Sequence, residues 1–271
     1  MNRRTFLDRV TQMTGSTAAA VALLSTLENA EAVAQTIAEG DDRLTATRVE
    51  YGADGAKITG YLARPKAGQT HPAVIVIHAN QGLHPHYQDV ARRLAVEGFL
   101  ALAPDLLSPL GGTPAEAEQA IKMIGTLNAE DTVARLAAAV PFLAQHGEST
   151  GKVGVVGFCW GGGMVNRLAA AGTSLGAAVA YYGMQIPAAQ VPKISAPLML
   201  HYAALDPRID AGIADYEAAL KTNNKTYEQY LYAGTNHGFN NDTNTGAYNK
   251  GAADLAWTRT IAFLKKNLGR T

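Results

Sequence analysis

Cysteine is almost missing from this chain of 271 residues: Cys159 is the single one. No intrachain disulfide can form, so Cys159 acts as a thiol or thiolate unless two chains cross-link. Charge is also sparse, at 17% of residues, with 23 Lys plus Arg against 23 Asp plus Glu. That balance offers no basic footprint for nucleic acid and no attraction to an anionic membrane. No apolar run is long enough for a stable membrane span. A dinucleotide fingerprint is lacking too, because no G-x-G-x-x-G can be read from Gly154 through Gly163. His84 and His86 have no third ligand cluster beside them, so neither a metal nor any other cofactor is expected. What is abundant is hydrophobic residues, at 47%, enough for a sizeable core.

The N-terminus reads as an address. Asn2-Arg3-Arg4-Thr5-Phe6-Leu7 places paired arginines before an apolar pair, a small-residue stretch runs from Gly15 to Leu24, and Ala32-Val33-Ala34 offers a cleavage site. This order is that of a secretory signal, and the paired arginines resemble the bacterial twin-arginine export signal. Residues 1–35 are therefore expected to be removed, leaving an exported, periplasmic or secreted protein of residues 36–271 with no membrane attachment.

After a lead-in, Thr45–Tyr51 and Lys57–Ala63 flank Gly52-Ala53-Asp54-Gly55, which predicts a hairpin. Ala73–Ile77 is then a short apolar run rich in β-branched residues, as in a strand buried on both faces. From there strands alternate with helices to the end: strands at Phe99–Ala103, Val153–Phe158, Ala177–Tyr182, Pro197–Tyr202 and Thr226–Leu231, helices at Tyr87–Val96, Ala115–Ile124, Asp131–Leu143, Met164–Ala171, Ala211–Leu220 and Leu255–Leu268. The pattern predicts a single α/β domain over 36–271, with a mostly parallel central sheet and helices on both faces. Ligands of such sheets sit beyond the carboxyl ends of the strands. Chemistry is therefore expected after Ile77, Phe158, Tyr202 and Leu231.

Gly157-Phe158-Cys159-Trp160-Gly161 lies where a strand ends and a helix begins. It is a G-x-S-x-G nucleophile elbow with cysteine for serine: the sharp turn leaves no room for side chains at the glycines, and the helix N-terminus favours a thiolate. In a fold built this way the acid and then the histidine follow the nucleophile. His237, in Gly234-Thr235-Asn236-His237-Gly238-Phe239, follows the last strand and is the candidate base. Asp206, in Ala204-Leu205-Asp206-Pro207, follows the strand before it and would orient His237, with Asp210 a weaker rival. Asp105 and His201 are read as structural. The oxyanion hole is assigned to the backbone N–H groups of Trp160 and of Asn80, in His78-Ala79-Asn80-Gln81-Gly82-Leu83. Tyr87, Trp160, Tyr202 and Phe239 are read as core.

These segments, together with Ala103-Pro104-Asp105-Leu106 and Asn236-His237-Gly238-Phe239, resemble the dienelactone hydrolase family over about residues 45–268. The resemblance implies an α/β-hydrolase fold and a cofactor-free Cys-His-Asp hydrolase acting on an ester or lactone, with Cys159, Asp206 and His237 as the triad. It also implies a glutamate where Ala79 stands, beside the thiol. Alanine can neither hold a proton nor accept a hydrogen bond. Cys159 is then activated by His237 directly, or activity is reduced, or the chain is a catalytically weakened scaffold that binds small molecules. The family also holds a substrate carboxylate with arginines. Leu107-Ser108-Pro109-Leu110 and Gly238-Phe239-Asn240-Asn241 contain none at the matching places, so a neutral or apolar ester is expected in preference to dienelactone. Arg208 and Arg167 remain as substitutes, with Arg167 expected to face solvent. A peroxide-reactive thiol is a further reading, weakened by the lack of a resolving cysteine.

Overall fold

The computed structural model describes residues 37–53, 55–66 and 69–269; the expected export signal, residues 1–35, lies outside them. Strands β1 (Leu44–Ala53) and β2 (Ala56–Pro65) form the expected hairpin, paired antiparallel from Leu44 against Pro65 to Ala53 against Ala56. The alternating part runs β3 (His71–Ile77), α1 (Pro85–Val96), β4 (Leu100–Pro104), α2 (Ala117–Thr126), α3 (Ala129–Ala144), β5 (Ser149–Phe158), α4 (Trp160–Ala169) and β6 (Ala177–Tyr181). It closes with β7 (Leu198–Ala203), a short α5 (Pro207–Asp210), α6 (Ile213–Thr222), β8 (Tyr227–Tyr232) and α7 (Lys250–Leu268). Short 3-10 turns at Ser108–Leu110 and Ala188–Lys193 had no signal in the sequence pattern.

The strands make one 8-stranded sheet in the order β1-β2-β4-β3-β5-β6-β7-β8. The pairs from β4 through β3 to β8 are parallel, and β2 joins β4 antiparallel. β3, β4 and β6 are buried at every position, which explains their unbroken apolar runs. Residues of one pleat, Ile75, Ile77, Val153 and Val155, share a core with Leu136 and Leu143 of α3 and Val165 and Leu168 of α4. The other pleat faces α7: a Cβ on Gly154 would touch the methyls of Leu264 and Leu268. Helices therefore cover both faces.

From β3 the chain turns toward β4, whereas from β5 it turns the other way, toward β6. With right-handed crossovers, the connections after these neighbouring strands leave to opposite faces. A crevice opens between their carboxyl ends, the place where open α/β sheets bind ligands.

Candidate active site

The crevice holds the loop after β3 on one side and Cys159 on the other. Cys159 bridges β5 and α4 with φ 57° and ψ −117°, a conformation that side-chain-bearing residues rarely adopt. Such backbone strain costs about 1–3 kcal/mol and persists only where the surroundings enforce it. The surroundings here are close backbones. A Cβ on Gly157 would lie 2.4 Å from the Gly161 carbonyl oxygen, and one on Gly161 would lie 2.4 Å from the oxygen of His78. That crowding explains why α4 begins at Trp160, ahead of the expected Met164: its first turn is built of glycines that propensity disfavours but packing requires. The Cys159 N–H donates to the carbonyl of Tyr181, and the Trp160 N–H points at the half-buried thiol.

The loops after β7 and β8 bring Asp206 and His237 to the same place. They are zipped together, since Ala204 N–H donates to Tyr232 O at 3.1 Å and Leu205 N–H to Thr235 O at 2.9 Å. Asp206 is buried, and its Oδ2 lies 2.5 Å from His237 Nδ1. With Nδ1 donating to the carboxylate, Nε2 is left on the side away from Asp206. Nε2 is buried and faces the Cys159 thiol. Tyr182 backs the imidazole at 4.9 Å between ring centres, and Phe239 packs edge-on against Tyr182.

Electrostatics couple the pair. Burial pushes the Cys159 thiol up, but the hydrogen bond and charge of His237, the Trp160 N–H and the Arg208 guanidinium outweigh it, so its pKa lies below the ordinary thiol value. Burial pushes His237 down, while Cys159 and Asp206 pull it up and prevail. Both shifts favour a thiolate–imidazolium pair.

The residues singled out in the sequence are thus distributed as follows. Cys159, Asp206 and His237 come together, and Asn80 and Trp160 line the cavity of about 470 Å3 that opens on the thiol. Asp210 sits one turn beyond Asp206 with Oδ1 buried and unpartnered, and Asp206 is the carboxylate bonded to His237. Asp105 instead organises a turn, accepting from Leu107 N–H, Thr113 N–H and the Thr113 hydroxyl. His201 is a core histidine bonded to the hydroxyls of Tyr232 and Thr260, and burial pushes its pKa down to about 3. Of the four aromatics, Tyr87, Tyr202 and Phe239 are buried, and Trp160 lines the cavity, stacked on His78 at 5.6 Å. Tyr87 is nonetheless close enough to Cys159 to feel its charge, and its phenol takes a hydrogen bond from the Ala79 backbone.

Two arginines that sequence reasoning held in reserve line the same cavity, together with Met184 and Gln185. Arg167 is solvent-exposed, as expected, but stands on the cavity rim. Arg208, two residues after Asp206, is close enough to lower the thiol pKa. Its place in the segment that follows β7, beside Asp206, was the available signal. Among the described residues no group of three or more His, Cys, Asp or Glu could hold a metal, and no helix is long and apolar enough to cross a membrane.

A protein from Saccharolobus solfataricus assigned as a carboxymethylenebutenolidase is 32% identical over 252 residues, covering 80% of this chain and 96% of its own. A Bradyrhizobium protein assigned as a 2-oxo-3-(5-oxofuran-2-ylidene)propanoate lactonase is 32% identical over 234 residues, covering 81% and 94%. A crystal structure assigned as a dienelactone hydrolase, from Klebsiella pneumoniae subsp. pneumoniae MGH 78578, superposes with a TM-score of 0.75 at 30% identity, covering 81% of this chain and 98% of that one. The fold is that of the α/β-hydrolases. The model of the Dienelactone hydrolase family matches residues 58–268, and the chain belongs to that family of hydrolases.

Proposed function

We propose that this protein hydrolyses a small carboxylic ester or lactone, without a cofactor, by acyl transfer through Cys159, His237 and Asp206. The observation that carries the reading is the alignment at the crevice: Asp206 holds Nδ1 of His237 at 2.5 Å, leaving Nε2 to face a thiol whose pKa lies below normal. The Cys159 thiolate attacks the carbonyl carbon, and the oxyanion is held by the N–H groups of Asn80 and Trp160. The carbon–oxygen bond to the leaving alkoxide breaks as His237 gives it a proton. His237 then takes a proton from water, which attacks the thioester, and the thiolate leaves with release of the acid.

Arg208 and Arg167 bear on the substrate. No carboxylate lines the cavity beside them, so the pocket favours an ester or lactone with an acidic group. The arginine-free segments Leu107–Leu110 and Gly238–Asn241 point instead to a neutral or apolar ester, and turnover of matched charged and neutral esters distinguishes the two. The names of two relatives, a butenolidase and a propanoate lactonase, are in keeping with the acidic group. Residues 1–35 support export to the periplasm or beyond through their paired Arg3-Arg4.

The test is hydrolysis of a short-chain p-nitrophenyl ester by the wild type and by Cys159→Ala. Turnover lost in the variant supports cysteine-based acyl transfer, and equal turnover in both sinks it. Ala79 motivates a second reading, a weakened scaffold that binds small molecules; stabilisation by a ligand without turnover in either protein would favour that one.

A further inference from the structure

His237 is carried by residues 233–249, an irregular connection between β8 and α7. The connection turns on itself: Asn241 N–H donates to Gly238 O, Asn244 N–H to Asn241 O, and Asn249 N–H to Phe239 O. Reverse turns alone do not fix where a loop sits relative to the sheet. Asp242 supplies an external anchor. Its side chain is 8% exposed, and its carboxylate oxygens take different partners on α1. Oδ1 lies 3.0 Å from His86 Nδ1, and Oδ2 accepts from the Arg93 guanidinium. Arg93 in turn donates through Nε to Asp89 Oδ2 at 2.6 Å. Asp89 reaches Arg92, which donates to the hydroxyl of Tyr61 on β2 at 3.0 Å. His86, Asp89 and Arg92 are all buried.

Of the two residues that hold Asp242, His86 lies in the first turn of α1, at the end that meets the crevice, and Arg93 in its last turn. His84 N–H donates to Gly82 O at 2.9 Å, tying the start of α1 to the oxyanion loop. The ring of His86 packs on Tyr87 at 5.0 Å. Tyr87 packs on Phe158 at 5.7 Å and on His78 at 6.4 Å, the residues that precede Cys159 and Ala79. We infer that Asp242 is a positioning residue: its clamp on His86 and Arg93 holds the loop bearing His237 in register with the oxyanion loop and the Cys159 elbow.

A buried ion network is a poor source of net stability, because desolvation cancels much of the attraction, yet it fixes one arrangement of its members. A general base needs that. Misplacement by about 1 Å can reduce a rate about a hundredfold. The inference rests on the acyl-transfer reading for its effect on turnover, but the clamp itself is readable without turnover, through the reactivity of Cys159.

The experiment compares wild type with Asp242→Asn, Asp242→Glu and His86→Phe. It measures kcat and KM on a p-nitrophenyl ester, the rate of Cys159 alkylation by iodoacetamide against pH, and thermal melting. Asp242→Asn should lower kcat about tenfold or more, with KM changed by less than about threefold. It should also move the thiol titration up toward the ordinary range, as His237 disengages. Asp242→Glu should recover part of both. His86→Phe removes one partner and leaves Arg93 in place, so it should give a smaller effect in the same direction if Asp242→Asn does not fold. Wild-type kcat and alkylation profile in the folded variants would overturn the inference, as would a kcat loss explained by the unfolded fraction with the thiol titration unmoved. If no ester is turned over by any variant, the acyl-transfer reading fails, and the alkylation profile still decides the clamp.

Discussion

The carbonyl of His78 and the α-carbon of Gly161 approach so closely that a Cβ on Gly161 would fall 2.4 Å from the oxygen. This contact closes the β3 side of the crevice onto the elbow. Neither partner can yield easily, since one is strand-end backbone and the other the first turn of α4. Gly161→Ala should therefore open the crevice and destabilise the fold by about 1–3 kcal/mol, the range for overpacking. Thermal melting reads the stability, and slower Cys159 alkylation reads the opening. A variant that melts with wild type and alkylates at the same rate would contradict the contact.

Arg208 lines the cavity and lowers the thiol pKa. Arg208→Ala should raise KM for an ester with a distal carboxylate by about tenfold or more while leaving a neutral ester of the same size within about threefold. The thiol titration should also move up, because the guanidinium lowers it now. Equal effects on the charged and neutral esters would remove Arg208 from substrate recognition.

The pH profile follows from the opposite shifts of Cys159 and His237. The thiol is lowered, so alkylation should rise with pH below the ordinary thiol range. The imidazole is raised, so its proton, needed by the leaving alkoxide, persists above the usual histidine range and is lost as pH climbs further. Turnover should be bell-shaped between those limits. Ala79→Glu would place a titrating carboxyl beside the pair and should reshape the acidic limb. An identical profile from about pH 5 to 9 would exclude that.

Asp242 links charge to stability. Burial pushes its pKa up, but His86 and Arg93 outweigh burial and hold it at about 2, against 3.8 for a free carboxyl. A depressed carboxyl stabilises the fold above its unfolded pKa and stops doing so as pH falls through the folded one. The contribution should therefore be complete above about pH 4 and vanish toward about pH 2, as Asp242 protonates beside Arg93, His86 and Asp89. Acid melts of Asp242→Asn should show a shallower pH dependence in that window than wild type. Parallel curves would mean that the carboxylate is not paired in solution.

What could be read ahead of the structure divides along physical lines. The parallel sheet was legible because strands buried on both faces leave unbroken apolar runs, as in Ala73–Ile77. The meeting of Cys159, Asp206 and His237 was legible because each follows a strand end, and glycines frame the elbow for steric reasons. The start of α4 was not, because Gly161, Gly162 and Gly163 argue against helix until the neighbouring backbones are known. Arg167 and Arg208 became pocket residues only once the fold brought them to one cavity. The partners of Asp242 are His86 and Arg93, with 149 residues separating Asp242 from Arg93, and no local pattern signals a charge pair at that distance.

The position of β8 last along the chain and last in the sheet order also has a meaning for biosynthesis. Cys159 emerges from the ribosome well before His237, and the two side chains that depress its pKa, Arg208 and His237, arrive after β7 and after β8. A nascent chain therefore lacks the two side chains that lower the thiol pKa, and gains both only when nearly the whole polypeptide has folded.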